Sequence, residues 1–292
     1  MTKEKFKIIL NRLLITILVI IIVGTFSYMF FSDTEEVSKV STDDPSSVSV
    51  ASDITNQPDC PIMGIALTGE ISTYDMAFDA VAGEPTPNIT SAAFVTQAIR
   101  KAEKDDKVFG LILEIDSGGG NPVASEEIAN ALKLTKKPTV AVIRGMGASG
   151  AYWASTGADY ILASANSDVG SIGVTFSYLD YSQKNQKEGI TYVELNSAKY
   201  KNSGDPDRPL TEEERILFQR DLDIVHNNFV KAVAENRKLD IEKVKQLADG
   251  STMLGAMALE NGLIDKIGGQ AEAIQYFIDK GAITEPQEVC WY

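Results

Sequence analysis

Strand-like and helix-like segments alternate along the middle of this chain, and that alternation constrains the fold more than any other feature. Apolar runs typical of buried strands lie at residues 62–67, 109–115 and 139–143, and segments of helix length lie between them at 91–104 and 123–134. Strands separated in this way pair side by side in one direction, with the helices crossing over the faces of the sheet. The sequence therefore predicts an α/β fold with a parallel sheet and crossover helices.

The strand at residues 139–143 leads through small residues to a serine, Ser149. Gly145 and Gly147 permit a tight turn, and residues 151–155 can begin a helix. The free N–H groups of a helix start favour a developing anion, so a hydroxyl at this junction is well placed for nucleophilic attack. We predict that Ser149 is a nucleophile.

A serine nucleophile needs a base, and the chain has one histidine, His226. A capping box at residues 211–214 opens a long helix, and His226 falls in its middle. The sequence Gly-Ala-Ser-Gly-Ala at 147–151 also departs from the Gly-x-Ser-x-Gly pattern of α/β-hydrolases. A triad of Ser149, Asp205 or Asp207, and His226 is one hypothesis, but a structural role for His226 beside the apolar stripe of its helix is favoured.

Lysine is the other base that a serine can use. The ordinary lysine pKa of about 10.4 is too high for work near neutral pH, so burial has to lower it to about 7. Lys199 and Lys201 follow an apolar segment at residues 191–195, which is predicted to be a strand, and they stand in a loop with Tyr200, Gly204 and Pro206. We expect one of these two lysines to point inward while the other is exposed.

Three glycines, Gly118, Gly119 and Gly120, follow the strand at residues 109–115. They suit either a simple turn or a backbone N–H that holds an oxyanion. The second interpretation is favoured because Ser149 ends a neighbouring strand at the same edge of the predicted sheet. A phosphate-binding loop is disfavoured because the motif Gly-x-x-x-x-Gly-Lys-Ser/Thr is missing.

The first 59 residues differ in character from the rest. Residues 1–12 are basic, and residues 13–31 form an apolar run of 19 residues without a charge, close to the length that spans a hydrocarbon core of about 30 Å. This pattern predicts a single-pass transmembrane helix in the cell membrane with a cytoplasmic N-terminus; a cleaved signal peptide is the alternative. Residues 32–59 indicate a disordered linker, and residues 60–292 a folded extracytoplasmic domain. The net charge of −14 disfavours nucleic acid as a partner.

Shorter elements are predicted after Ser149: a strand at residues 160–163, a turn into a buried segment at 168–175, a turn and short strand at 262–267, and helices at 241–247, 255–261 and 271–280. Cys60 and Cys290 lie near the two ends of the predicted domain, where they either pair in an oxidising compartment or remain free thiols. Their spacing fits no metal motif, and we assign the chain neither a metal nor a cofactor.

Five motifs follow one another in the order 116–120 (Asp-Ser-Gly-Gly-Gly), 147–152 (Gly-Ala-Ser-Gly-Ala-Tyr), 169–174 (Val-Gly-Ser-Ile-Gly-Val), 199–203 (Lys-Tyr-Lys-Asn-Ser) and 262–268 (Gly-Leu-Ile-Asp-Lys-Ile-Gly). In these motifs the chain resembles the signal peptide peptidase A family of membrane-anchored serine peptidases, in its short form, over roughly residues 60–270. The resemblance implies a Clp-protease/crotonase-like fold and a Ser/Lys dyad, which suits a chain so poor in histidine.

By this resemblance Ser149 is the nucleophile and Lys201 the general base. Ser171 orients the lysine amine through a hydrogen bond, and the N–H groups of Gly119 and Gly150 form the oxyanion hole. The implied reaction is amide hydrolysis through an acyl-enzyme. Gly118 stands where the family has a proline, and this loosens the loop that contains Gly119.

The resemblance also implies hydrophobic peptide substrates, notably signal peptide remnants, and a homo-oligomeric ring in which adjacent protomers supply the serine and the lysine. A crotonase-like acyl-CoA enzyme is one alternative, although Ser149 and Lys201 would have no role in it. A non-catalytic oligomeric membrane scaffold is the other. A soluble Clp-type protease is disfavoured because no histidine follows Ser149 before His226, and because a freely soluble barrel needs no membrane anchor.

Overall fold

The computed structural model describes residues 60–74 and 88–292. The basic N-terminus, the transmembrane helix predicted at 13–31 and the linker predicted at 32–59 lie outside these residues. Within the two described ranges, no helix combines the length and the apolar character needed to cross a membrane.

One mostly parallel sheet organises the described residues. Its main path runs in the order β2 (Ile89–Ser91), β1 (Ile62–Ser72), β3 (Gly110–Gly120), β4 (Thr139–Ala148), β5 (Tyr160–Ala163) and β8 (Lys266–Ile267). β6 (Asp168–Gly170) pairs with the end of β4 and, antiparallel, with β7 (Thr252–Leu254), whereas β9 (Val289–Trp291) pairs with the start of β1. The predicted α/β fold with a parallel sheet is confirmed.

Eight helices complete the described part of the chain: α1 (Ala92–Lys104), α2 (Pro122–Leu134), α3 (Gly150–Ser155), α4 (Ser182–Lys187), α5 (Glu212–Arg237), α6 (Ile241–Leu247), α7 (Gly255–Asn261) and α8 (Gln270–Asp279). Side-chain caps fix several of their starts. Ser91 accepts a hydrogen bond from the Phe94 N–H at the start of α1, and Thr211 and Glu214 form the predicted capping box of α5. These caps explain why the helices begin close to the predicted residues.

The core fills both faces of the sheet because successive residues of a strand point to opposite sides. In β4, Ala141 and Ile143 belong to a large cluster that includes residues of α1, α2, α3 and α5. Val140 and Val142 belong to a second cluster on the other face, with Phe277 of α8. Burial on both faces accounts for the unbroken apolar run of this strand.

Two strands extend further than the sequence predicts. β3 continues through its three glycines to Gly120, and β4 continues through Gly145 and Gly147 to Ala148. The tight turn predicted at Gly145 and Gly147 is therefore wrong, and the simple-turn alternative for the three glycines of β3 is excluded as well. The pairing of β3 with β4 shifts its register between Ile115 and Ser117, so the glycines serve an irregular strand rather than a turn.

The strand predicted at residues 191–195 is also wrong. This segment has no regular structure and belongs to an exposed arm, residues 173–208, that projects between β6 and α5. Val193 is 74% exposed and Leu195 is 92% exposed. The apolar pattern that suggested a buried strand faces solvent in the single chain.

Cys60 and Cys290 form a disulfide, which resolves the alternative that the sequence left open. Their Cα atoms are 6.0 Å apart, within the usual range for such a bridge. The pairing depends on β9, a strand that the sequence analysis did not predict, because it places Cys290 next to Met63 at the start of β1. The disulfide thereby joins the first described residue to the C-terminal strand.

Candidate active site

Ser149 lies at the carboxyl end of β4, directly before α3, as predicted. Its backbone has φ 53° and ψ −127°, a strained conformation for a residue with a side chain. The Ser149 N–H donates to the carbonyl of Gly170 at 2.7 Å, and the Ser149 carbonyl accepts from the Trp153 N–H at 3.0 Å. Contacts to β6 and α3 thus hold the backbone, while the hydroxyl takes no part in capping the helix and remains available for chemistry.

Gly119 of β3 lies directly against the junction of Ser149 and Gly150. A Cβ atom added to Gly119 would lie 2.6 Å from the Gly150 nitrogen and 2.9 Å from the Ser149 Cβ, and its φ is 100°. Both the space and the backbone conformation therefore require glycine. The structure brings together the three residues that the sequence assigned to the nucleophile and the oxyanion hole.

The Gly119 N–H already has an acceptor inside the protein. It donates to the Ser117 hydroxyl oxygen at 3.0 Å, and the Ser117 hydroxyl donates to the carbonyl of Gly69 at 2.6 Å. Sequence reasoning missed this role of Ser117, although the residue belongs to the same motif as Gly119. An oxyanion at this place has to share the Gly119 N–H with Ser117 or displace it.

Ser149 and Gly150 open onto a cavity of about 670 Å³. One part of its wall is apolar, and Trp153 of that wall stacks on Phe229 with the ring centroids 4.8 Å apart. Polar side chains of α5 and of the loop before β7 form another part, namely Gln219, Asp223, His226 and Asp249. A concave site with one apolar wall and several polar groups suits a peptide, whose side chain can contact the apolar part while its backbone meets the polar groups. Across the described ranges, no cluster of three or more His, Cys, Asp or Glu side chains could hold a metal ion.

Ser171 lines the same cavity as Ser149. Its N–H donates to the carbonyl of Ser251 at 2.9 Å, and its hydroxyl donates to the carbonyl of Gly250 at 2.9 Å. Because the hydroxyl hydrogen is used in this bond, the Ser171 oxygen can act towards an amine as an acceptor. This is the orientation that a lysine-positioning serine requires.

Neither candidate lysine is buried, so the expectation that one of them points inward is wrong for the single chain. Lys199 forms an ion pair with Glu213, and this hydrogen bond raises the pKa of the Lys199 amine. Lys199 is therefore unsuited to act as a base near neutral pH. Lys201 is exposed and is absent from the described residues that line the Ser149 cavity.

His226 lines the cavity, a position that its place in the middle of a helix did not suggest. Its Nε2 atom is buried and has no hydrogen-bond partner within the described ranges. The two aspartates considered for a triad are engaged elsewhere, since Asp205 accepts from the Tyr192 hydroxyl and Asp207 from the Asn185 amide. The helical spacing of cavity residues 219, 222, 223, 226 and 229 is the signal that could have revealed this face of α5.

A strained serine between a parallel strand and a helix, backed by closely packed glycine backbone, is an arrangement typical of hydrolases that act through a serine nucleophile. The model of peptidase family S49 matches residues 131–282. This chain belongs to that family, which confirms the resemblance to the signal peptide peptidase A family seen in its motifs.

Several named proteases are similar to this chain. It is 37% identical over 200 residues to a putative protease of Methanocaldococcus jannaschii, an alignment that covers 68% of this chain and 64% of the relative. A putative signal peptide peptidase SppA of Enterococcus faecium is 36% identical (66% of this chain, 56% of the relative). Protease 4 of Haemophilus influenzae is 30% identical (70% and 34%). The chain thus spans between about one third and two thirds of the length of these curated relatives.

Among solved structures, a mutant ClpP1 from Listeria monocytogenes resembles the chain with a TM-score of 0.46 and 14% identity, covering 72% of this chain and 92% of the other.

Proposed function

We propose that this protein is a serine endopeptidase that hydrolyses hydrophobic peptides through a Ser149/Lys201 dyad, on a Clp-protease/crotonase-like fold. The observation that supports this most directly is the strained Ser149, whose hydroxyl is free of capping bonds beside the glycine backbone of β3. Membership of peptidase family S49 supports the class of reaction. The apolar wall around Trp153 and Phe229 supports the preference for hydrophobic side chains.

In the proposed mechanism, the Ser149 hydroxyl attacks the peptide carbonyl while the Lys201 amine takes its proton. Lys201 then donates this proton to the leaving amine, and a water molecule resolves the acyl-enzyme. The N–H of Gly150, the first residue of α3, has no partner within that helix and so is available to the oxyanion. The Gly119 N–H joins it by exchanging Ser117 for the oxyanion, and Ser171 orients the lysine amine.

Lys201 reaches Ser149 in this proposal through assembly of the chain into a homo-oligomeric ring, in which one protomer supplies the serine and its neighbour the lysine. The exposure of Lys201 supports this arrangement. So does the exposed arm, which displays several large apolar side chains to solvent, among them Phe176, Leu179, Ile190, Val193, Leu195 and Tyr200. Apolar patches of this kind are typical of surfaces that bind another protein.

We propose further that residues 13–31 anchor the protein in the cell membrane as a single-pass helix, with the catalytic domain on the extracytoplasmic side. The Cys60–Cys290 disulfide supports this location, because such bridges persist mainly in oxidising compartments. A peptidase held at the membrane surface meets hydrophobic remnants of signal peptides, which are the proposed substrates.

The test is hydrolysis of a fluorogenic signal-peptide-derived substrate by the full chain in detergent. Ser149→Ala and Lys201→Ala should each lower kcat/KM by at least about 10³-fold. Lys199→Ala is the matched control for the lysine, since its amine pairs with Glu213, and it should retain activity within a few fold. His226→Asn tests the alternative base in the same assay.

Each result has a distinct meaning provided that the variants remain folded and assembled. If His226→Asn abolishes cleavage and Lys201→Ala does not, the base is the histidine and the dyad is wrong. If Ser149→Ala retains full activity, the serine mechanism is wrong. If the parent protein cleaves none of the hydrophobic peptides offered, the result favours a scaffold role.

A further inference from the structure

Arg208, at the end of the exposed arm, makes a largely buried ion pair with Glu214 that the mechanism above does not use, and its Nε atom also lies 2.9 Å from the Glu194 carboxylate. Its guanidinium donates two hydrogen bonds to the Glu214 carboxylate, from Nη1 at 2.9 Å and from Nη2 at 2.6 Å. The Glu214 side chain is only 3% exposed, and its Oε2 also accepts from the Thr211 N–H at 2.9 Å in the capping box of α5. Arg208 is thereby fixed to the first turn of the longest helix.

The same guanidinium fixes the backbone next to Lys201. Arg208 Nη2 donates to the carbonyl oxygen of Asn202 at 2.8 Å. The Asn202 side chain in turn donates to the Tyr192 hydroxyl at 2.9 Å, and that hydroxyl donates to Asp205 at 3.0 Å. The residue that follows Lys201 is therefore held by both its main chain and its side chain.

The residues that precede Lys201 are tied to the same turn of α5. The Tyr200 hydroxyl donates to Glu213 at 3.4 Å, and Lys199 forms its ion pair with the same carboxylate. By contrast, the amine of Lys201 makes no hydrogen bond or ion pair with any residue in the described ranges, although the Lys201 N–H donates to the carbonyl of Ala198 at 3.2 Å. The backbone on both sides is anchored, and the amine between the anchors is free.

We propose that Arg208 is a positioning residue, which fixes the Lys201 backbone relative to α5 so that the free amine is presented to the serine in a defined direction. This inference rests on the proposed role of Lys201 as the base. A buried ion pair is weak evidence for stability alone, because desolvation offsets its attraction. The planar guanidinium suits this task because it binds one carboxylate with two parallel bonds and still has a donor for a carbonyl.

The test compares steady-state kinetics of Arg208→Met and Arg215→Met in the full chain. Arg215 is a matched control, since it lies in the first turn of α5, the turn that Arg208 binds, but its own ion pair with Glu212 is exposed (3.3 Å, Arg215 side chain 65% exposed). Arg208→Met should lower kcat about tenfold to a hundredfold and leave KM within about twofold, because a misplaced base weakens the chemical step. Arg215→Met should leave both constants unchanged.

A second experiment tests whether Arg208 acts through Lys201. In a Lys201→Ala background, with an activated ester whose residual hydrolysis is measurable, adding Arg208→Met should cause no further loss. A role in overall structure would lower this residual rate by the same factor as in the parent, and that outcome would overturn the inference. The inference is equally wrong if folded Arg208→Met has the kcat of Arg215→Met.

Failure of the proposed dyad can be distinguished from failure of this inference. If Lys201 is not the base, Lys201→Ala alone keeps the activity of the parent. If Arg208→Met does not fold, Arg208→Lys replaces it. This variant keeps a positive charge for Glu214 but loses the planar fork that binds Glu214 and the Asn202 carbonyl together. It should lower kcat in the parent but not the residual rate in the Lys201→Ala background, and an unchanged kcat would overturn the inference.

Discussion

Replacing Gly119 by alanine tests the packing of β3 against Ser149 and Gly150. The new Cβ would lie 2.6 Å from the Gly150 nitrogen, 2.9 Å from the Ser149 Cβ and 3.0 Å from the Ala148 carbonyl oxygen. All three neighbours belong to the backbone or to the first atom of a side chain, so none can move aside without moving the junction of β4 and α3. Gly118→Ala is the matched control, because its Cβ would meet only the Met146 sulfur, at 3.6 Å.

The expected magnitude has two parts. A residue with a side chain at φ 100° costs about 1–3 kcal/mol of backbone strain, which should appear as a lower free energy of unfolding. Displacing one oxyanion donor lowers kcat about 10²- to 10³-fold. We therefore expect Gly119→Ala to lose at least about a hundredfold in kcat, while Gly118→Ala remains within a few fold of the parent.

The assay is steady-state cleavage of the signal-peptide-derived substrate, with unfolding in urea measured in parallel. The two measurements separate damage to the fold from damage to the site. If Gly119→Ala is folded and cleaves peptide at the rate of Gly118→Ala, the N–H of Gly119 does not serve the reaction. The assignment of the oxyanion hole to β3 would then be refuted.

Three further predictions concern stability. Cys290→Ser removes the disulfide, which links residues 230 apart in sequence. Because the unfolded chain is then no longer restrained by this loop, the free energy of unfolding measured in urea should fall by about 5 kcal/mol. The hydrogen bond from Arg208 lowers the pKa of Glu214 in the folded protein. The ionised Glu214 therefore stabilises the fold at every pH above the ordinary glutamate pKa of about 4.3. This stabilisation is lost as the pH falls from about 4.3 through the lower pKa of the folded state. The Tm of the parent should exceed that of Glu214→Gln at pH 7, and the difference should shrink below about pH 4. Phe229→Ala removes a side chain that is 1% exposed and should cost about 3–5 kcal/mol of unfolding free energy.

Each stability prediction has a contrary outcome. Equal urea midpoints for Cys290→Ser and the oxidised parent would show that the bridge adds nothing to the folded state. A Tm difference for Glu214→Gln that stays constant down to pH 2 would contradict the ionised pair. A loss below about 1 kcal/mol for Phe229→Ala would mean that the stack on Trp153 collapses without leaving a cavity.

Sequence patterns predicted the sheet and the place of Ser149 between a strand and a helix, because both depend on local signals. The buried strands are β-branched runs, and Ser149 stands at a junction of small residues that few other contexts require. The strand predicted at residues 191–195 is wrong because an apolar pattern does not by itself establish burial, and Val193 and Leu195 of this segment face solvent. β9 was missed because three residues are too short for any period to be visible.

The position of Lys201 could not be predicted for a related reason. The loop is organised by Arg208 and Glu214, whose pairing depends on side-chain geometry rather than on hydrophobic pattern. The internal acceptor of the Gly119 N–H is equally invisible in sequence, since the Ser117 hydroxyl lies only two residues away and could equally have faced solvent.

The disulfide between Cys60 and Cys290 closes almost the whole described part of the chain into one covalent loop. The arm of 36 irregular and short helical residues (173–208) lies within the stretch that the bridge closes, and its exposure makes it accessible to a protease. One cut in that arm opens the covalent loop, but the two pieces remain joined by the disulfide and by strand pairing in the sheet. In denaturing electrophoresis, a molecule cut once in the arm would therefore migrate as one band until the disulfide is reduced. The piece that contains Ser149 and the piece that contains α5 would stay together after such a cut.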